Sequence, residues 1–247
     1  MQRDDWRVTQ SSEEVPPATV AVLADLGAFF AIQSRSPDGH WQPVSTLLTG
    51  ATLADHVARV QGFLADRAGA PVETRVAASI ASLGLFARLM APYVGAAVAR
   101  VPLPTPNPDA LSFQAMLSQP WPLHLSGALA PADPERALAV LVQPLIQRIG
   151  DEFSLSPIVL RGNLASGVFG SLGMIASTRP DLAAPAHELG ARLLKGSLAS
   201  TGTASGPRFK RSSCCLFYRI PGGGYCGDCV LTSARPGSSR RGRKPTI

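Results

Sequence analysis

Four cysteines, Cys214, Cys215, Cys226 and Cys229, are all the thiols this chain has, and they fall within 16 residues in the order C-C-x10-C-x2-C. Cysteines serving as small core hydrophobes would be scattered over the apolar helices. Clustered ones point instead to metal binding or thiol redox chemistry. Cys226-Gly227-Asp228-Cys229 reads as a chelating knuckle, because a two-residue spacer containing Gly lets both sulfurs face one metal. Gly222, Gly223 and Gly224 just before it permit the left-handed backbone that a tight metal loop needs.

The spacing weighs the candidate metals unequally. Structural zinc takes two knuckles with two to four residues between ligands, whereas Cys214 and Cys215 have no spacer at all. Adjacent side chains diverge along an extended backbone, so both sulfurs would struggle to reach one tetrahedral ion. A two-iron cluster relaxes that demand by spreading its four thiolates over two metals. Zinc, thiol redox chemistry and inert cysteines stay open beside it; the redox reading lacks the βαβ context its motif requires.

Arg208, Lys210, Arg211 and Arg219 flank the cysteines. They would dock an acidic electron donor or an anionic ferric chelate, or would simply be a solvated basic surface. Asp228, inside the knuckle, would either lower the potential of a bound cluster or stabilise the turn. The histidines His40, His56, His124 and His187 are scattered without ligand spacing. His124 could line a substrate face, but a structural histidine explains it more simply. No Ser-His-Asp order, paired-carboxylate motif, phosphate loop or flavin fingerprint stands out.

The stretch 213–229, SCCLFYRIPGGGYCGDC, resembles the C-terminal signature of the FhuF-like ferric-siderophore reductases. In that family the four cysteines of this unusual spacing bind a [2Fe–2S] cluster, and all four positions are filled here. Upstream, Arg161-Gly162-Asn163-Leu164-Ala165-Ser166 is similar to a Gly-Asn-x-Ala-Ser segment of the family, with Arg161 where the family commonly has Trp. Ala87-Arg88-Leu89 and Pro92 are weakly similar to its helical half. The resemblance implies a cytoplasmic one-electron reductase of imported ferric siderophores, served by a ferredoxin-like or other reductant. Cys214, Cys215, Cys226 and Cys229 would hold its cluster.

The elements that must carry this segment are mainly helical. Apolar runs and spacing predict helices over 19–32, 52–64, 74–91, 138–149, 158–177 and 182–193. Thr52-Leu53-Ala54-Asp55 reads as a capping box and Asp133-Pro134-Glu135 as a cap with a first-turn proline. Pro92 should kink or end one helix and Pro144 another. Val98–Leu103 and Trp121–Ser126 are the best strand candidates. Gly167, Gly170 and Gly173 suggest close helix packing, and Asn163 and Ser166 would cap that helix or face the chelate or cluster. Residues 196–207 read as a Gly/Ser/Thr/Ala linker by composition. The expected class is α+β, predominantly helical. A helical body over 1–207 is followed by a cluster-binding segment over 208–232 and a basic, disordered tail over 233–247.

Composition narrows the rest. The 247 residues are 45% hydrophobic and 16% charged, which excludes disorder as the main state and leaves ample material for a core. Nine of the 23 basic residues but only one of the 17 acidic ones lie in 208–247, so the basicity is local and the body nearly neutral. That disfavours a broad nucleic-acid face. The acidic start gives no readable secretory signal, and Arg88 and Pro92, or Arg161 and Asn163, interrupt the two most apolar stretches. A cytoplasmic, non-spanning protein is expected, with room for a peripheral contact at the inner face of the membrane. Rival readings are a zinc-binding nucleic-acid or protein interaction module and a non-catalytic iron–sulfur sensor.

Overall fold

A computed structural model describes residues 14–34, 41–116, 119–206 and 208–234. The first 13 residues, His40 and the Arg-rich tail from 235 onward lie outside the described residues. The architecture is α+β and predominantly helical, with short strands at its periphery.

The first helix, α1 (Pro17–Asp25), is shorter than its apolar run. Gly27, at φ 117°, turns the chain out of the helix before the run ends. A two-residue strand β1 (Gln42–Pro43) precedes α2 (Thr52–Ala68), which buries Leu53 and Val57 as its spacing predicts. Its expected capping box does not form: Thr52 is already helical, Ala51 occupies the cap, and no side chain bonds there. Asp55 in the first turn still complements the positive end of the helix dipole.

Helix α3 (Thr74–Ala99) does not end at Pro92 but continues through it for seven more residues. A proline inside a helix costs about 3 kcal/mol. Here Leu89 to Ala96 are all buried, so packing on every face holds the helix together. The strand expected from Val98 therefore starts only at β2 (Pro102–Pro104), after Arg100 closes the helix in a left-handed conformation. Strands β3 (Leu111–Phe113) and β4 (Leu123–Leu125) complete an antiparallel sheet of order β1-β3-β4, and β5 (Leu129–Pro131) pairs with β2.

Asp133 caps α4 (Pro134–Ala137) as predicted, its Oδ1 accepting from the N–H groups of Glu135 and Arg136 at 3.0 and 3.1 Å. Pro144 then leaves its mark. Lacking an N–H, it sits behind a π-helical turn, Leu138–Val142, that widens the coil before α5 (Gln143–Phe153). Ser156 caps α6 (Pro157–Thr178), and α7 (Ala183–Lys195) buries Ala186, Leu189 and Leu193 along the predicted stripe.

Helices α3 and α6 pack along one another as the central pair. Of the three evenly spaced glycines only Gly167 serves that contact: a Cβ there would lie 2.7 Å from the Cβ of Ala87, whereas Gly170 and Gly173 meet open space. Both helices are long and apolar enough to cross a membrane, yet each spends much of its surface on the other and on the surrounding elements. Arg88, midway along α3, is buried and donates to three carbonyls, those of Trp121 at 2.6 Å, Phe29 at 2.8 Å and Ala31 at 2.7 Å. It clips the loop after α1 and the approach to β4 onto the core.

The stretch read as a linker is folded. Leu198 is fully buried, and β6 (Gly202–Ser205) forms an antiparallel hairpin with β7 (Arg208–Arg211). Phe209 stacks on Phe169 of α6 with ring centroids 4.3 Å apart and planes 8° from parallel. That stack fixes the hairpin, and with it the start of the cysteine segment, against the central helix pair.

Candidate metal centre

Beyond β7 the segment has little regular structure of its own. A single 3₁₀ turn, Phe217–Arg219, follows the vicinal cysteines, and another, Val230–Ala234, follows the knuckle. Backbone conformation does the shaping instead. Leu216 takes φ 68°, a left-handed geometry uncommon for a non-glycine residue. Its N–H points back to Cys214 Sγ at 3.4 Å, and the next N–H, of Phe217, bonds Cys215. Gly222 and Gly224 adopt φ 75° and 74°, the left-handed turns predicted for the glycine run. Gly223 is required by space, since a Cβ would come within 2.7 Å of the Phe217 carbonyl.

Cys215 Sγ lies 3.5 Å from Cys226 Sγ, so the close sulfur pair joins one vicinal cysteine to one knuckle cysteine. Each sequence pair also sends one sulfur inward and one outward: Cys215 and Cys229 are buried, Cys214 and Cys226 partly exposed. Two thiolates on one tetrahedral metal with bonds of about 2.3 Å stand about 3.8 Å apart, close to the Cys215–Cys226 spacing. Among the described residues no three His, Cys, Asp or Glu side chains gather as ligands of one ion. The close pair has the spacing of two thiolates that share one metal, with Cys214 and Cys229 in the same short loop.

Proton energetics favour one thiolate within the close pair. The Cys226 thiol beside it pulls Cys215 below the ordinary thiol value, to about 6, with the Arg211 charge helping against burial. The same contact and burial drive Cys226 upward. Burial raises Cys214.

A polar network grips this loop from beneath. Arg211, only 2% exposed, donates from Nε and Nη2 to both oxygens of Asp228 at 2.9 and 2.8 Å. Its Nη1 reaches Asn163 Oδ1 at 2.9 Å and its Nη2 also reaches Ser166 Oγ at 2.6 Å. Asn163, fully buried on α6, donates in turn to the Ser79 carbonyl and to the hydroxyls of Ser79 and Ser82 on α3. The Ser79 hydroxyl donates to the Cys215 carbonyl at 2.8 Å. Burial alone would lower the Arg211 pKa, but the Asp228 carboxylate more than offsets it; the same pairing holds Asp228 below the usual carboxylate range.

Residues 211–231 match the family model of the FhuF 2Fe-2S C-terminal domain. All four cysteines lie inside that stretch, and its cofactor is a [2Fe–2S] cluster. This decides between iron and zinc, which the spacing alone left open: the segment is that of an iron–sulfur protein. The helical body lies outside the matched residues. No curated protein matches the chain.

The structure places the expected basic residues differently from one another. Along β7 alternate residues face opposite sides: Arg208 is exposed and Lys210 half-buried, while Arg211 turns inward with its guanidinium consumed by the network. Arg211 is therefore no part of a docking surface. Arg219 is exposed but holds Glu73 of the body at 2.6 Å. Asp228 does stabilise the turn, through Arg211. Asn163 and Ser166 cap nothing; Ser156 does that, and both join the network. Arg161 bonds the Ser197 carbonyl at 2.9 Å.

The described histidines belong to the body. His124 is buried in β4, and His56 packs edge-on against Trp121 at 4.7 Å; His187 is exposed on α7. Sequence reasoning missed Ser79, Ser82 and the exposed, roughly parallel Tyr218 and Tyr225, whose ring centroids lie 6.5 Å apart. A signal for the serines existed: polar residues three apart on an otherwise apolar helix, opposite a lone Asn on another, must find partners when buried. Two surface concavities, one lined by Leu48, Pro144, Gln147, Arg148, Asp151 and Glu152 and one by the end of α3 and β5, are lined by body residues alone.

Proposed function

We propose that this protein is a cytoplasmic ferric-siderophore reductase. It takes single electrons from a ferredoxin-like donor and passes them to Fe³⁺ in an imported chelate, which then releases Fe²⁺. The observation that carries the reading is the set of four cysteines in C-C-x10-C-x2-C spacing inside the matched segment, with Cys215 and Cys226 3.5 Å apart. Cys214, Cys215, Cys226 and Cys229 would hold the cluster, which when bound supplies one electron at a time. Oxygen-donor chelators bind hard Fe³⁺ far better than Fe²⁺, so a single electron loosens the metal without breaking a bond in the ligand.

The residues of this chain serve that transfer by placement. Leu216 and Phe217 direct backbone N–H groups at the vicinal sulfurs, the kind of hydrogen bond that tunes a cluster's potential. The partial exposure of Cys214 and Cys226 lets a chelate approach without entering a deep cavity. Tyr218 and Tyr225, 47% and 50% exposed on either side of the glycine run, offer ring faces and hydroxyls to whatever docks. Arg208 and Lys210 add positive charge for an acidic donor or anionic chelate.

Anaerobic purification with visible spectroscopy and counting of iron and sulfide tests the cofactor. Mixing the reduced protein with a ferric hydroxamate over a ferrous trap tests the activity. One trapped Fe²⁺ per electron stored is expected; a cluster that reduces no ferric siderophore overturns the reductase reading. Stoichiometric zinc would favour an interaction module instead. Changing any one cysteine to Ser should bleach or destabilise the chromophore while leaving the helical circular-dichroism signal. Reversing Arg208 and Lys210 to Glu should slow reduction by an acidic donor and flatten its salt dependence; equal rates at low and high salt discard their docking role.

A further inference from the structure

Arg211 is among the largest fully buried side chains of the described residues, and it lies in the segment that carries all four cysteines. A buried ion pair is often no more stabilising than apolar residues of the same volume, so stability alone does not account for one. This pair has a specific reach. Arg211 holds Asp228 by two side-chain bonds and by its own backbone N–H to the Asp228 carbonyl at 3.2 Å. Asp228 is the residue between Cys226 and Cys229. Through Asn163 and Ser79 the same guanidinium is coupled to the Cys215 carbonyl, so one side chain ties the two halves of the cysteine set together.

We infer that Arg211 is a positioning residue: it sets the register of the Cys226–Cys229 knuckle against Cys215 and holds a fixed positive charge beside the cluster that raises its reduction potential. The inference rests on the [2Fe–2S] reading above. Reduction adds one negative charge to a site already rich in thiolates. A buried cation in a low-dielectric surround stabilises that charge more than the oxidised form. Asp228, between Cys226 and Cys229, carries the opposite charge, so removing either partner should move the potential in opposite directions. Arg is suited to the role because only its planar fork serves a carboxylate, an amide oxygen and a hydroxyl together.

The test uses the full chain, reconstituted anaerobically, with Arg211→Gln, Arg211→Lys and Asp228→Asn beside the wild type. Iron and sulfide counts report positioning, and dye-equilibrated reduction by dithionite, followed by visible and paramagnetic-resonance spectra, reports the midpoint potential. R211Q should lower the midpoint and D228N should raise it. R211K, which keeps the charge but loses the fork, should stay near the wild-type midpoint while holding less cluster. A fully loaded R211Q with an unchanged midpoint overturns the inference. If R211Q does not retain the cluster, D228N carries the charge test, and an unchanged or lowered midpoint there overturns it equally. A wild-type protein with no iron–sulfur chromophore would sink the cofactor reading as well, whereas an intact chromophore indifferent to Arg211 sinks this inference alone.

Discussion

Two buried arginines show how differently the helical body and the cysteine segment are held. Arg88, in the middle of α3, meets only backbone carbonyls, and burial lowers its pKa to about 10. It is a clip: it satisfies three loop carbonyls that no helix or strand serves. Arg211 meets a carboxylate, an amide and a hydroxyl, and Asp228 raises its pKa against the cost of burial. The body is thus held mainly by apolar packing, with Arg88 as its charged clip. The segment, which has little regular structure beyond β7, is positioned by a charged network anchored on α3 and α6.

The contrast predicts that damage to the two regions separates. Arg88→Leu should have the largest effect, because it leaves three buried carbonyls without a donor, and a loss of about 3–5 kcal/mol is expected. Urea unfolding followed by far-ultraviolet circular dichroism checks it; a loss below 1 kcal/mol would mean that water or another donor replaces the clip.

His56 gives the body an acid weakness. Burial, then the nearby Arg59 charge, lower its pKa from 6.5 to about 4, and its Nδ1 has no partner. Its folded pKa lies below its unfolded one, so the unfolded chain binds the proton more readily. Stability is full above about pH 6.5 and falls as pH drops towards 4, by about 2–3 kcal/mol at pH 4.5. The His56→Phe variant should remove that slope in unfolding free energy measured between pH 6.5 and 4.5.

Two glycines on α6 sharpen the comparison at closer range. Gly167→Ala places a methyl against the Cα and Cβ of Ala87, atoms that cannot swing aside, and should cost about 1–3 kcal/mol of global stability. Gly162→Ala meets instead the Ser213 hydroxyl, which can rotate. Because Ser213 precedes Cys214, that variant should alter the visible spectrum or cluster retention while moving the melting temperature little. Equal losses of stability in the two variants would erase the distinction between the regions. The smallest effect belongs to Arg219→Ala: its ion pair with Glu73 is solvent-exposed on both sides, so less than about 1 kcal/mol is expected, and that loss should shrink further in high salt.

Much of this was legible in the chain before folding. The cysteine clustering marked where the centre lies, Asp133 and its following proline marked a helix start, and the apolar runs located α2, α6 and α7. Those signals act within a few residues and need no tertiary partner. Misreadings arose where distant contacts overrode local preference. Pro92 stays helical because its whole turn is enclosed, residues 196–206 fold because a hairpin docks through Phe209, and Thr52 loses its capping role to the helix start at Ala51. Arg211 looked like surface charge because composition counts charges without orienting them.

The sequence by itself determined which residues carry sulfur, how far apart they stand along the chain, and where most helices run, because periodicity, capping and ligand spacing are written locally. Only the tertiary structure decided which sulfur neighbours which, that Arg211 faces inward, and that Asn163 joins α3 to the cysteine loop. Those outcomes depend on residues 48 and 84 positions apart meeting in a buried space, where a polar group without its partner costs more than the fold can spare.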